Sequence, residues 1–318
     1  MTGYVVHGVA LAFAWFGVAN LFVSGAVAIV ARRLAHRGRR RTPGWWLTLR
    51  SLPALASLAF VAAVFLPSYL QFEPRETIEG IDVTLTLCAS VGLGIVLLAG
   101  VRGVRAARRA ARQALVWMRS SHPLDAVASP VPAYTIGSAP IPLMALVGLV
   151  SPRVFVSQRL VDTLTREELD VTLAHEASHA HARDNLKRLL IRMLPDALGG
   201  TAAAAAIERR WASAAEHAAD RAATNGNPAA RCALASALVK VARLMPPTSV
   251  RLEPISTLVC DGDLASRVES LLAEPATAAS SRAALWSTAA TLAALVVAYA
   301  PLLRAVHEIT EVLVNSLP

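Results

Sequence analysis

Three apolar runs open the chain, roughly Val5 to Ala31, Leu47 to Leu70 and Ile81 to Val101. Each is as long as the helix of about 20 residues that crosses a bilayer core. A fourth run, about Ala283 to Leu303, lies near the other end. One such run could be a buried helix of a soluble core. Repeated runs whose flanking charge alternates are the pattern of membrane spans. The hydrophobic fraction of 55% and the mean hydropathy of +0.48 agree, since both exceed what a soluble domain usually carries.

The charges between the runs predict an orientation. Arg32, Arg33, Arg37, Arg39, Arg40 and Arg41 follow the first run, the acidic stretch Gln71 to Asp82 separates the second from the third, and "RGVRAARRAARQ" (Arg102 to Gln113) follows the third. Positive charge stays on the cytoplasmic side. The expected layout is therefore residues 1–101 as three transmembrane helices (5–31, 47–70 and 81–101), 102–282 as a cytoplasmic domain, and 283–318 as a fourth transmembrane helix with a short extracytoplasmic tail. Both termini are expected outside. The first run is too long for a secretory signal and has no positive charge before it, so it is expected to remain as an anchor.

The formal charge of +9 would point to nucleic acid if it covered a soluble face, but the arginines cluster beside apolar runs and no interleaved aromatics accompany them. The arginine repeat after the third run reads instead as a helix extension holding anionic lipid headgroups. No nucleic-acid partner is expected; the lipid bilayer is. Cys88, Cys232 and Cys260 have no CxxC spacing, which excludes a cysteine metal knuckle or a disulfide framework. Lysine occurs only at Lys187 and Lys240 and alanine is abundant, as in a GC-rich bacterial genome.

Between Pro130 and Ser157 the pattern changes to short β-prone pieces, "AYTIG", "PLMALVGLV" and "RVFVS", which predict a small sheet. Thr165-Arg166-Glu167-Glu168 then has the form of a capping box, so a helix begins there and carries "LAHEASHAHARDN" in its middle. On that helix His175 and His179, four apart, share a face and can present two imidazoles to one metal ion. Glu176 falls about 100° round from His175, near enough to take a proton from a water activated by the ion. A third ligand is needed. In "RWASAAEHAADRAATNG" Glu216 and Asp220 are again four apart on a helix that ends at Asn225-Gly226. Glu216 would complete a His₂Glu set for one Zn²⁺ per chain, with a fourth position open, and Asp220 could fix the tautomer of a ligand histidine.

These residues resemble the BlaR/MecR-type bacterial membrane zinc metallopeptidases, gluzincins related to the HtpX and CAAX prenyl protease group. The resemblance is carried by "LTREEL" (Leu164 onward), "LAHEASHAHARDNL" (Leu173 to Leu186), "EHAAD" (Glu216 to Asp220) and the lead-in "GLVSPRVFVSQRLVDTL". It implies zinc on His175, His179 and Glu216, with Glu176 as general base. It also implies that an edge strand formed by Arg153, Val154, Phe155, Val156 and Ser157 pairs with extended substrate. The implied fold is a mainly α membrane protein, four transmembrane helices with a cytoplasmic α+β, zincin-like peptidase domain carrying a small β-sheet. HtpX-like proteins fit less well, having two spans ahead of the motif. The antibiotic sensors of the family carry an extracellular penicillin-binding domain after the last span, and the tail expected here, Arg304 to Pro318, holds none.

His181 and His217 point off the metal face and read as ordinary polar positions, and Asp184 and Asn185 as residues shaping the helix end, with the resemblance making Asp184 worth a test in catalysis. Arg267 and Tyr134 are the candidates for a transition-state donor. Leu186 to Ala206, apolar but broken by charges and Pro195, reads as a surface or core helix followed by a loop. The functional expectation is an endopeptidase acting on protein or peptide substrates at the cytoplasmic membrane face of a bacterium, with a cytosolic repressor as one such substrate. The alternatives are membrane-protein quality control and a non-catalytic signalling scaffold.

Overall fold

In a computed structural model of the chain, residues 2–35, 41–73, 82–124, 129–137, 144–244, 264–273, 301, 303–310 and 312 are described. Three helical stretches among them are long and apolar enough to cross a membrane. α1 is Thr2–Ala35. α2 (Pro43–Phe60) starts at the N-cap Thr42, whose hydroxyl accepts from Trp45 N, and runs through a π turn (Val61–Phe65) into α3 (Leu66–Phe72). The π turn leads into Pro67, which has no N–H to continue the i−4 ladder. α4 (Val83–Arg119) is capped by Asp82. It continues 18 residues past the expected end of the third span, because alanine and arginine sustain a helix as well as the apolar run does. α1 and α4 cross closely at Gly17 and Gly92, where a Cβ on Gly92 would overlap the Phe13 carbonyl.

The expected fourth span, Ala283 to Leu303, lies almost wholly outside the described residues. The stretch 303–310 beyond it is helical: Leu303 and Val306 pack on Val64, Ser68 Oγ donates to Leu303 O at 2.9 Å, and Trp15 Nε1 donates to Thr310 Oγ1 at 3.2 Å.

The domain that follows α4 begins with a four-stranded sheet of order β1-β2-β4-β3. Its strands are β1 (Ser121–Pro123), β2 (Ala133–Ile136), β3 (Met144–Val147) and β4 (Arg153–Ser157). β2 and β4 run parallel and the outer pairings are antiparallel. The three β-prone pieces all form strands, and β1 is an addition to them. The expectation that Arg153 to Ser157 forms the substrate edge is corrected. β4 is hydrogen-bonded on both sides, to β2 and β3, because the chain turns back at Gly148 (φ +115°) and lays β3 outside it. β3 is the edge strand beside the helix that carries the HEASH motif.

Alternation along the strands gives the sheet two faces. Met144, Leu146, Val154 and Val156 face a core built with Leu160, Leu169, Leu173, Leu234 and Leu238. Ile136, Ala145, Val147 and Phe155 face Ala114, Trp117 and Met118, so the end of α4 covers the second face. The helices of the domain are α5 (Gln158–Thr163), α6 (Arg166–His181), α7 (Asp184–Met193), α8 (Ala202–Thr224), α9 (Pro228–Leu244) and α10 (Leu264–Leu272).

The domain is fastened to the apolar helices by the loop between α7 and α8. Asn20, fully buried in α1, donates to Pro195 O at 2.9 Å and accepts from Ala197 N at 2.8 Å. Arg50 of α2 is 2% exposed and meets Asp196 and Glu208 at 2.9 Å each. Buried charges are costly unless paired, and this guanidinium has two carboxylates. Around them Val27, Ala31, Trp46 and Leu49 pack against Ile191, Leu198, Ile207 and Trp211.

Candidate metal centre

α6 begins with the expected capping box: Glu168 N donates to Thr165 Oγ1 at 3.2 Å, and Thr165 N donates to Glu168 Oε2 at 2.8 Å. Glu168 also accepts from Ser236 and Lys240 of α9, at 2.6 and 2.7 Å, which fixes the start of the helix against its neighbour. Burial pushes the Glu168 carboxyl up, but the bonds from Lys240, Ser236 and the Thr165 N–H outweigh it and hold the group below the usual carboxylate range.

Two turns on, His175, Glu176 and His179 are all buried, and α8 brings Glu216 and Asp220 against them. His175 Nε2 and His179 Nε2 are 3.2 Å apart. Glu216 Oε2 is 3.4 Å from the first and Oε1 is 3.5 Å from the second. Four donors held at about 2.0–2.2 Å around a tetrahedral ion stand about 3.3–3.6 Å from one another; here each Nε2 meets a different oxygen of Glu216 at such a distance, and one ligand atom from each of the three residues lies within 4.8 Å of the others, close enough to close on one ion.

The far side of each ring supports the same reading. Asp184 Oδ2 lies 2.8 Å from His179 Nδ1, and Asp220 Oδ1 lies 3.0 Å from His175 Nδ1, a close approach rather than a well-aligned hydrogen bond. With the Nδ1 protons on the carboxylate side, both Nε2 atoms are acceptors that face one another, and Glu216 turns its carboxylate to the same point, Oε2 also meeting Arg267 Nη1 at 3.0 Å. A cation between them relieves the facing of two acceptors and adds to the charge that balances the carboxylate. Burial pushes the His179 imidazolium down, but Asp184, Glu216 and the charge of Glu176 raise it to about 10. His175 is likewise raised, by Asp220 and Glu216 against burial and the charge of His179. The pocket is thus built to stabilise positive charge at the point where the Nε2 atoms converge.

Asp184, which the sequence places at the helix end and the family resemblance makes worth a test, sits against the ring of His179. Arg183 adopts a left-handed conformation (φ 54°, ψ 40°), which ends α6 and turns the chain so that Asp184 returns to His179 while opening α7. Arg267 from α10 reaches the site. Its Nε and Nη2 grip Asp220 at 2.9 and 2.6 Å, and Nη1 is 3.0 Å from Glu216 Oε2. It is engaged with both acids and 2% exposed. Tyr134 is corrected outright: it packs on Phe155, ring centroids 5.7 Å apart, on the sheet face turned away from α6. His217 hydrogen-bonds Ser266 and His181 is exposed, so neither joins the cluster.

Residues 143–256 match Peptidase family M48. The matched stretch runs from the edge strand through α9 and includes His175, Glu176, His179 and Glu216. No curated protein matches the chain. With three helices apolar enough to cross a membrane, the match supports a membrane-associated, metal-dependent peptidase.

Proposed function

We propose that the chain is a zinc-dependent endopeptidase, embedded in the bacterial cytoplasmic membrane, that cleaves protein substrates at the cytoplasmic face. The observation that carries the reading is the convergence of His175 Nε2, His179 Nε2 and one Glu216 carboxylate within 3.2–3.5 Å of one another in a buried pocket. Two imidazoles and one carboxylate form the donor set of a catalytic zinc site, which leaves a position for water or substrate. A zinc ion held there supplies Lewis acidity, polarising the scissile carbonyl and lowering the pKa of water.

The remaining work falls to side chains of the chain itself. Glu176, next to His175 and 1% exposed, takes the proton of the attacking water and returns it to the leaving amine. Asp184 and Asp220 keep the imidazole protons on Nδ1, so that Nε2 stays available. Arg267 fixes the Glu216 and Asp220 carboxylates relative to each other. Substrate binds as an extended strand along β3, the edge beside α6, where it finds backbone partners before it reaches Glu176.

The arginine-rich connectors support a cytoplasmic site. The BlaR/MecR-type resemblance, with three apolar helices ahead of the motif, favours regulated cleavage of a cytosolic protein such as a repressor. The test compares protein N-termini in cells carrying the native chain and the Glu176→Gln variant, with metal content measured on both purified proteins. The expected result is about one zinc in each and one or a few cut sites lost in the variant. Identical cut sites would refute the assignment of Glu176, and cuts spread over many misfolded membrane proteins would replace regulated cleavage with quality control.

A further inference from the structure

The arginines that follow the third apolar run build more than a charged surface. Arg102, Arg105 and Arg109 stand three and four residues apart and share one face of α4, beginning where the apolar run ends at Val101. That level is where lipid headgroups start. α7 adds Arg188 and Arg192, and α8 adds Arg209. These six arginines are among the residues that line one cavity of about 810 Å³ between α4, α7, α8 and the turn from β3 to β4. Glu208 is the only carboxylate among the lining residues, and it accepts from Arg50 at 2.9 Å.

Arg102 is set in place rather than solvated. Its Nη2 donates to Leu194 O at 3.0 Å and its guanidinium lies against Gly199, where a Cβ would leave it no room. Its Nε is buried and has no hydrogen-bond partner. Between the arginines the wall is apolar: the alanines of α4, Leu189, Trp211, and Leu149 and Val150 at the hairpin tip, the last 94% exposed. A free phosphate or an acidic peptide would need the guanidiniums but not an apolar wall opening at bilayer level. A glycerophospholipid needs both, a cationic ring for its phosphate and an apolar surface for its chains.

We propose that this cavity binds one anionic phospholipid, its headgroup phosphate among the six arginines and its acyl chains along the apolar wall. The site is independent of peptidase chemistry, although it shares a wall with the substrate edge. Asn185, which lines the cavity, donates to Leu146 O and Gly148 O at 2.9 and 3.2 Å at the end of β3.

The test uses the full chain in phosphatidylcholine nanodiscs, into which phosphatidylglycerol is titrated while the Tm and the lipids retained in native mass spectrometry are read. Parallel arms add inorganic phosphate or a soluble polyglutamate peptide to pure phosphatidylcholine discs. The expected result is a saturable Tm rise with one phosphatidylglycerol retained per chain. At roughly fivefold per arginine, Arg105→Gln/Arg109→Gln/Arg192→Gln should weaken it about a hundredfold. Arg32→Gln/Arg33→Gln/Arg41→Gln, which removes as much charge from the other juxtamembrane cluster, should leave it unchanged. Equal losses in the two triple variants would reduce the effect to surface charge and overturn the site, and the same Tm rise with phosphate or polyglutamate would overturn the lipid as its occupant. The three substituted arginines are exposed. Should the triple variant melt early in phosphatidylcholine, Arg105→Gln and Arg109→Gln singly carry the same comparison, each expected to weaken binding about fivefold.

Discussion

Replacing Asp184 with alanine removes one carboxylate and leaves all three proposed metal ligands in place, so it isolates the value of holding a ligand in the right tautomer. In the native chain Asp184 Oδ2 is 2.8 Å from His179 Nδ1 and Oδ1 is 3.0 Å from Lys187 Nζ. Burial raises the carboxyl, and His179 and Lys187 lower it further than burial raises it, so it is ionised and its bond to the imidazole is charge-assisted. Without it, His179 can place its proton on Nε2, the atom that must face the ion, and the ring loses the bond that sets its plane. Bonds of this kind are worth about 1.5–3 kcal/mol, and losing such a partner weakens metal binding about 10–100-fold. We therefore expect Asp184→Ala to raise the zinc Kd by that factor, and Asp184→Asn, which keeps an acceptor but loses the charge, to fall between the two. The assay is competition with a chromophoric chelator on purified protein, because a melting temperature would mix the metal effect with the loss of the Lys187 pair. An unchanged Kd in Asp184→Ala, together with loss of zinc in His179→Ala, would refute the tautomer argument while leaving the ligand intact.

Three other outcomes follow from the fold. Glu168 has a depressed pKa, so it contributes stability that is present above its ordinary value of 4.5 and is lost as pH falls through its lower folded value; Glu168→Gln should flatten the acid side of the Tm–pH curve, and parallel curves would contradict this. Gly92→Val forces α1 and α4 apart at the Phe13 carbonyl and should cost about 1–3 kcal/mol or more in detergent unfolding, whereas Gly25→Ala, with open space around its Cβ, should be near neutral. A reporter inserted after Arg119 should be active only in a cytoplasmic form, and activity of an extracytoplasmic reporter there would reverse the proposed orientation.

What could be read from the sequence was whatever depends on helical spacing. The i, i+4 pairs His175/His179 and Glu216/Asp220 and the capping box at Thr165 are local patterns, and the structure brings the two pairs together across α6 and α8. The resemblance makes Asp184 worth a test, but no local pattern gives its contact with His179, which depends on a left-handed residue at Arg183, a conformation that arginine does not announce. The misplaced edge has a different cause. Strand propensity identified Arg153 to Ser157 as a strand, but its rank in the sheet is decided by the Gly148 turn folding β3 outside it. Tyr134 failed as a donor by one step of alternation: its neighbours Ala133 and Thr135 point to the other face from Tyr134, and propensity cannot say which face meets α6.

The loop between α7 and α8 and the first turns of α8 are held by Asn20 and Arg50 at four hydrogen bonds, to Pro195, Ala197 and Asp196 of the loop and Glu208 of α8. A domain fastened in this way cannot swing on a tether, so with the three apolar helices in a bilayer the proposed cleavage centre stands at a set height above the lipid. If it cleaves proteins as proposed, it behaves as a ruler. For a substrate anchored in the same bilayer, the bond that is cut is selected by its distance along the chain from the anchor as much as by its side chains, and residues inserted between anchor and bond should move the cut by the same number of positions.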